Sequence, residues 1–157
     1  MDYQKVELAE ILLVGMEIRT NNEDEMNGRG KIANLGQRFY REGLPKIETH
    51  VQDSIFAVYT DYEADEAGWY TYFIGVKVRS LAEIPPGMKG KRIPAAKYAK
   101  ILTSAGALPD VVIRKWQQIW GADSLKKKRA YTADFEVYDL SRGGAEQTKI
   151  VIYLAIK

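Results

Sequence analysis

The chain of 157 residues contains no cysteine and a single histidine, His50. The absence of cysteine excludes disulfide bridges, cysteine–zinc sites, iron–sulfur clusters and thiol nucleophiles. A single histidine excludes metal sites built from several imidazoles, although a Ser-His-Asp triad stays formally open. His50 stands in a polar segment, and we interpret it as a surface or capping residue. We therefore expect no metal and no cofactor.

Long apolar runs are also missing. No run approaches the roughly 18 residues that a membrane-spanning helix needs. The N-terminus, Met1-Asp2-Tyr3-Gln4, lacks the basic and apolar regions of a secretion signal. We therefore expect a cytoplasmic protein without membrane contact. The length suits one domain, 1–157, and a content of 46% hydrophobic and 28% charged residues excludes disorder over the whole chain.

The net charge of +2 is unevenly distributed along the chain. Residues 1–66 hold 14 acids and 7 bases, whereas residues 67–157 hold 7 acids and 16 bases. The bases of the second half form two clusters: Lys89, Lys91 and Arg92, and Lys126-Lys127-Lys128-Arg129. We interpret both clusters as solvated loops, with an anionic partner or nucleic acid as the alternative. Neither cluster lies on a recognisable DNA-docking element, so we expect no direct DNA binding.

Hydrophobic periodicity predicts the order β-α-β-β in the first half of the chain. The predicted elements are a strand from Lys5 to Thr20, a helix from Lys31 to Glu42, and strands from Ser54 to Tyr62 and Trp69 to Val78. A change of phase near Glu10 indicates a bulge in the first strand. Asn22 followed by Glu25 is a helix-start signal, and Gly43 with Pro45 predicts the end of the helix.

The second half repeats this order after a Pro- and Gly-rich segment, Leu81 to Arg92, that we interpret as a linker. The predicted elements are a strand from Ile93 to Thr103, a helix from Pro109 to Trp120, and strands from Asp134 to Leu140 and Thr148 to Ile156. Gly121 ends the helix, and Ser141-Arg142-Gly143-Gly144 forms part of the last connection. We expect two helix faces to be largely buried: the face with Ile32, Leu35 and Phe39, and the face with Val112, Ile113, Trp116, Ile119 and Trp120.

Two matches support a true duplication. Phe56-Ala57-Val58-Tyr59-Thr60-Asp61 resembles Phe135-Glu136-Val137-Tyr138-Asp139 at an offset of 79, and Gln37 to Tyr40 falls on Gln117 to Trp120 at an offset of 80. We therefore predict an α+β fold of duplicated β-α-β-β units, with an antiparallel sheet, two helices and a pseudo-two-fold axis. Repeat 1 spans about 5–79 and repeat 2 about 92–157.

Glu136 is the most informative candidate for a functional residue. Alternation places Glu136 and Tyr138 on one strand face, and the equivalent position in repeat 1 is the uncharged Ala57. Tyrosines stand at alternate positions of several strands, and a sheet face with so much aromatic surface is typically covered or ligand-lined. A carboxylate among aromatic rings suits a lipophilic cation, because the rings add cation–π attraction. An ordinary surface position for Glu136 is the alternative.

Trp116 and Trp120 lie one helical turn apart, and we expect them to close the site over Glu136. Packing of the helix onto the sheet would explain the same two side chains equally well. Both interpretations stay open at the level of sequence.

Five segments, taken in their order, resemble the GyrI-like small-molecule-binding family, also known as the AraC-type bacterial effector-binding domain. They are Ala57-Val58-Tyr59-Thr60-Asp61-Tyr62-Glu63, Tyr70-Thr71-Tyr72-Phe73-Ile74-Gly75, Ile93-Pro94-Ala95-Ala96-Lys97-Tyr98-Ala99, Asp134-Phe135-Glu136-Val137-Tyr138 and Ile152-Tyr153-Leu154-Ala155-Ile156-Lys157. The resemblance covers nearly the whole chain. It departs from the family at Ala155, where proline is common.

The resemblance implies a pocket between the repeats for diverse, often cationic and aromatic compounds. Glu136 falls on the family's charged pocket residue, and Tyr59 and Tyr72 fall near its pocket tyrosines. We therefore expect ligand contacts from Glu136, Tyr59, Tyr72, Tyr138, Trp116 and Trp120, and no catalytic residue. Because the first predicted strand starts within a few residues, without the DNA-binding region of many relatives, we expect a stand-alone binder, with a regulator protein as a candidate partner.

Two other functions are compatible with the same resemblance. Some relatives hydrolyse electrophilic compounds, and Glu136 with Tyr138 or Tyr59 could activate a water molecule. Others resemble gyrase inhibitors, which would make the chain a protein-interaction module. The sequence does not distinguish turnover from binding, so we treat the protein as a binder rather than an enzyme.

Overall fold

The computed structural model describes residues 1–48, 50–51, 54–104, 106, 109–139 and 150–157. Within these residues the strands are β1 (Gln4–Leu8), β2 (Ile11–Asn21), β3 (Ser54–Thr60), β4 (Trp69–Lys77), β5 (Lys89–Ile93), β6 (Ala96–Leu102), β7 (Ala133–Asp139) and β8 (Val151–Ala155). The predicted strand ends at 140 and 148–149, and the predicted connection at 141–144, lie outside the described residues. No helix of the described part is long and apolar enough to cross a membrane.

The helices lie between these strands. They are α1 (Asn22–Met26), α2 (Ile32–Arg38), α3 (Asp110–Trp120) and α4 (Asp123–Lys126), and α2 continues into a π-helical turn (Phe39–Gly43) and a 3-10 turn (Leu44–Lys46). Asn21, one residue earlier than the sequence indicates, caps α1, because its Oδ1 accepts the backbone N–H of Asp24 at 2.8 Å. The predicted helix from Pro109 to Trp120 is confirmed as α3.

The strands form one antiparallel sheet in the order β1-β6-β8-β7-β3-β4-β2-β5. Its two halves, β3-β4-β2 and β7-β8-β6, have the same connectivity and meet at the central β3–β7 pair. There Ala57 pairs with Glu136, and Phe56 and Phe135 lie with ring centroids 5.7 Å apart. The predicted α+β fold with duplicated units and a pseudo-two-fold axis is confirmed.

The first predicted strand proves to be two strands on different neighbours. β1 pairs with β6, whereas β2 pairs with β4 and β5. Leu8 pairs with Ala96 and Ile11 with Ile93, so the interruption contains two residues on each side and no residue is inserted. The predicted bulge is therefore wrong. Pro94 lies in the interruption. Proline has no backbone N–H to donate, and in the gap between β5 and β6 no ladder hydrogen bond needs one.

The predicted linker from Leu81 to Arg92 is wrong at its C-terminal end. Residues Lys89–Ile93 form β5, which is related to β1 by the pseudo-two-fold axis and pairs with the start of β2. The basic residues Lys89, Lys91 and Arg92 therefore lie on a strand rather than in a loop. Lys91 and Lys89 both form ion pairs with Glu17 of β2, which explains why bases are tolerated at this edge.

Gly43 does not end the first long helix, contrary to the sequence prediction. A Cβ atom at Gly43 would lie 2.9 Å from the ring of Phe39 and 3.1 Å from Met16, so glycine is needed there for close packing. Pro45 occupies the first turn of the following 3-10 helix, where its missing N–H has no partner to lose.

Burial follows the predicted helix faces only in part. Leu35 and Phe39 of the first helical segment and Trp116 of α3 are buried as expected. Ile113 is 38% exposed, so the predicted burial is wrong there, whereas Ile32 and Trp120 are partly buried. The reason is that all three line a cavity between the helices and the sheet.

Candidate functional site

A cavity of about 240 Å³ lies on the helix-covered face of the sheet, bounded by β3, β4 and β7 below and by α1, α2 and α3 above. All six predicted ligand-binding residues line it: Glu136, Tyr59, Tyr72, Tyr138, Trp116 and Trp120. The structure thus brings together residues from both repeats. Their role toward a ligand remains a prediction.

Glu136 lies on the floor of the cavity and is 1% exposed. Its Oε2 accepts hydrogen bonds from the Tyr59 hydroxyl at 2.8 Å and from Nε1 of Trp116 at 2.5 Å. Its Oε1 accepts a hydrogen bond from the Tyr138 hydroxyl at 2.5 Å. All three donors are uncharged, and no lysine, arginine or histidine of the described residues forms an ion pair with this carboxylate. The cavity therefore contains a buried acid to which the described part of the chain supplies no counter-ion.

The duplicated fold explains how these donors converge on one side chain. Tyr59 and Tyr138 occupy equivalent positions, so the pseudo-two-fold axis directs both hydroxyls toward the centre of the β3–β7 pair. The small side chain of Ala57, opposite Glu136, leaves room there. Trp116 reaches the carboxylate from α3, so its indole both packs on the sheet and donates to Glu136. Closure of a ligand site by Trp116 and Trp120 stays a prediction.

Burial raises the pKa of Glu136, and the hydrogen bonds from Tyr138, Trp116 and Tyr59 lower it only in part. Burial also raises the pKa of Tyr59, Tyr72 and Tyr138, and the nearby carboxylate of Glu136 raises them further. The tyrosines therefore stay neutral at any physiological pH. Glu136 is the group of this cluster whose charge can change.

Aromatic rings form the walls around the carboxylate. The ring of Tyr59 is central, with centroid distances of 5.2 Å to Trp116, 5.3 Å to Tyr72 and 5.5 Å to Tyr70. The rings meet edge-to-face or tilted, which are arrangements that aromatic pairs prefer. Tyr70 was visible in the sequence as an alternate strand residue next to Tyr72, yet it was not predicted as a site residue.

A second polar cluster at the side of the cavity was missed by the sequence analysis. Arg129, predicted to lie in a solvated loop, is 2% exposed, and its Nη2 donates to Oδ2 of Asp134 at 2.8 Å. The Tyr62 hydroxyl donates to the same oxygen at 2.5 Å, and the guanidinium lies 4.2 Å from the Tyr131 ring centroid. One signal was available: Asp134 shares the strand face of Glu136, two residues away.

The acids at the cavity differ in whether a nearby base compensates their negative charge. Asp134 is compensated by Arg129, and Glu66 at the cavity wall lies 3.2 Å from Nζ of Lys126. Glu136 lacks such a base among the described residues. Glu25 also lines the cavity without an ion pair among the described residues, but it is only partly buried and accepts hydrogen bonds from the backbone N–H groups of Lys31 and Ile32. Glu136 is therefore the fully buried acid of the cavity that the described residues leave without a base.

Comparison with known proteins agrees with this architecture. Residues 6–156 match the model of the Cass2 family, described as integron-associated effector binding protein. The chain belongs to this family. Effector binding is thus the class of function that the family assignment supports, and this class agrees with a lined cavity rather than with a flat interface.

Individual relatives extend the comparison. YobU of Bacillus subtilis (strain 168), named as a proposed transcriptional regulator protein, is 30% identical over 146 residues that cover 91% of this chain and 90% of YobU. The integron cassette protein VCH_CASS2 from the mobile metagenome of Vibrio cholerae is 28% identical, with a TM-score of 0.79, and the match covers 99% of this chain and 95% of that one.

A further solved structure shares the fold. SAV2435, solved bound to tetraphenylphosphonium, is 23% identical with a TM-score of 0.76, and the match covers 100% of this chain and 94% of SAV2435. At this level of identity the similarity shows the fold alone.

Proposed function

We propose that this protein binds small lipophilic cations with aromatic groups, in the manner of a GyrI-like, AraC-type effector-binding domain. The observation that carries the proposal is the buried carboxylate of Glu136, which lies in an aromatic cavity and has no counter-ion among the residues that the structure describes. Burial of an unpaired charge is costly, and a cationic ligand would offset that cost. A neutral ligand would leave the charge uncompensated.

The walls of the cavity favour the same class of ligand. The rings of Tyr59, Tyr72 and Trp116 offer apolar area and negative π-faces to an aromatic cation, with about 0.5–2 kcal/mol for each cation–π contact. The binding of tetraphenylphosphonium by SAV2435, which has the same fold, supports this choice and supplies a probe.

Isothermal titration with tetraphenylphosphonium and with neutral triphenylphosphine oxide tests the proposal. We expect Glu136→Gln to weaken tetraphenylphosphonium binding by about tenfold or more, because the variant keeps the shape and removes the charge. Binding of the neutral compound should change little. Glu63→Gln removes the same charge at an exposed position outside the cavity and serves as the control. Equal loss for both ligands in Glu136→Gln would refute a charge-selective site.

A further inference from the structure

We propose that the cavity selects cations that carry no hydrogen-bond donor, or only one, over primary ammonium ions of equal charge. This inference rests on the proposed function and names the subclass of cation. It follows from how the carboxylate of Glu136 is occupied by the protein itself, with a donor from each of Tyr59, Tyr138 and Trp116.

An ionised carboxylate offers about four lone-pair sites to hydrogen-bond donors. Three of them are taken at Glu136, two at Oε2 and one at Oε1, at distances of 2.5–2.8 Å. About one site is left, on Oε1. A cation that lies close to Glu136 is therefore still attracted by its negative charge, whereas the carboxylate can accept few further hydrogen bonds.

A primary ammonium ion has three N–H donors that are bound to water in solution. At Glu136 about one of them would find the carboxylate, and the others would meet aromatic rings or the weaker phenolic oxygens of Tyr59 and Tyr138. The other acceptors of the cavity wall are already engaged by the protein: Asn22 by Tyr70, Glu25 by Thr20 and by the backbone N–H of Lys31, and Glu66 by Tyr131 and Lys126. A buried charged donor without an acceptor is costly. A quaternary ion has no such donor, and a tertiary ammonium ion has one, which the remaining site of Oε1 can accept.

Hydration alone would give a different order of affinities. Each added methyl group weakens hydration of the cation, so affinity would rise by an equal factor for each methyl group. The primary-to-tertiary ratio, which spans two methyl groups, would then be the square of the tertiary-to-quaternary ratio. Counting acceptor sites predicts a single large step between primary and tertiary ions, and similar affinities for tertiary and quaternary ions. The two explanations can therefore be separated by one series of ligands.

The experiment measures displacement of tetraphenylphosphonium by protonated benzylamine, protonated N,N-dimethylbenzylamine and benzyltrimethylammonium, at a pH where all three are charged. We expect the tertiary and quaternary ions to bind within about 1.5-fold of each other, and the primary ion to bind about tenfold or more weakly. An equal factor for each added methyl group, or a primary ion that binds as tightly as the quaternary one, would overturn the inference.

Tyr138→Phe supplies the second arm, because the Tyr138 hydroxyl is the only described donor to Oε1 of Glu136. Its removal frees an acceptor site, so the affinity of benzylamine relative to benzyltrimethylammonium should rise severalfold even where the affinity of every cation falls. Tyr40→Phe is the control, since Tyr40 is 45% exposed and does not line the cavity. An unchanged ratio in Tyr138→Phe would also overturn the inference.

Failure of the proposed function gives a different result. In that case tetraphenylphosphonium would not bind the unmodified protein, or its binding would not depend on Glu136. If tetraphenylphosphonium binds in a Glu136-dependent way and none of the three benzyl cations displaces it, the inference fails and the proposed function stands.

Discussion

Ala57 and Glu136 pair directly across the β3–β7 ladder, although they occupy equivalent positions in the two repeats. The pseudo-two-fold axis therefore places a methyl group opposite a carboxylate. Tyr59 and Tyr138, which are also equivalent, both donate to that one carboxylate. The duplicated framework thus places one carboxylate, contributed by repeat 2 alone, on the axis, where it accepts hydrogen bonds from both halves.

The packing of Phe39 gives a first prediction about stability. Phe39 is fully buried between the helical segment and the sheet, whereas its neighbour Tyr40 is 45% exposed. We expect Phe39→Ala to lower the free energy of unfolding by about 3–5 kcal/mol, because removal of the ring leaves a large cavity in a well-packed core. Tyr40→Ala should cost much less. Urea denaturation of both variants is the measurement, and equal losses would contradict the assigned helix face.

Two glycines should respond to alanine with opposite signs. A Cβ atom at Gly15 would lie 1.9 Å from the carbonyl oxygen of Ile74 in the neighbouring strand, so Gly15→Ala must displace backbone and should be strongly destabilising. Gly36 lies inside α2 and has nothing within 4 Å of such an atom. Gly36→Ala should therefore raise the free energy of unfolding by roughly 0.5–1 kcal/mol. Thermal unfolding distinguishes the two, and a neutral Gly15→Ala would refute the β2–β4 register.

The Arg129–Asp134 pair provides a third test. Arg129→Met keeps much of the side-chain length but leaves the carboxylate of Asp134 buried without its base, and loss of one partner of a buried pair costs about 3–5 kcal/mol. Lys126→Met removes a base from a partly exposed ion pair with Glu66 and should cost less than about 1 kcal/mol. Urea denaturation of the two variants measures both losses. Similar values would show that Arg129 is not a structural counter-ion.

The sequence predicted those features that depend on short-range pattern. Alternation gave the central strands, and 3.6-residue spacing gave α3. The nearly equal offsets of 79 and 80 gave the duplicated fold, and with it Ala57 as the position equivalent to Glu136. Because these features occur twice along the chain, the two halves of one sequence can be compared with each other.

What the sequence could not give depends on contacts between distant segments. The interruption after Leu8 looked like a bulge because its partner, Pro94, lies far along the chain in another repeat. Arg129 looked solvated because it ends a basic run, and its burial depends on Asp134, Tyr62 and Tyr131 around it. The hydrogen bond from Trp116 to Glu136 joins a helix to a strand 20 residues away in the sequence. Local periodicity contains no information about contacts at such a separation.

The final prediction concerns the pH dependence of binding. Tetraphenylphosphonium keeps its charge at every pH, so only the protein can titrate in this reaction. Burial raises the pKa of the Glu136 carboxyl above its ordinary value, and the tyrosines around it stay neutral. Below that pKa the carboxyl is protonated and offers no countercharge to the ligand.

Affinity should therefore be fully present above the raised pKa of free Glu136 and should fall as the pH decreases through it, by up to about tenfold for each pH unit. Because the cation stabilises the ionised carboxylate, the pKa of Glu136 in the complex should be lower than in the free protein, and binding should release protons near the free pKa. Isothermal titration in two buffers of different ionisation enthalpy measures this release. Glu136→Gln should bind weakly at every pH and release no protons; a variant that keeps the pH dependence would assign the titration to another acid.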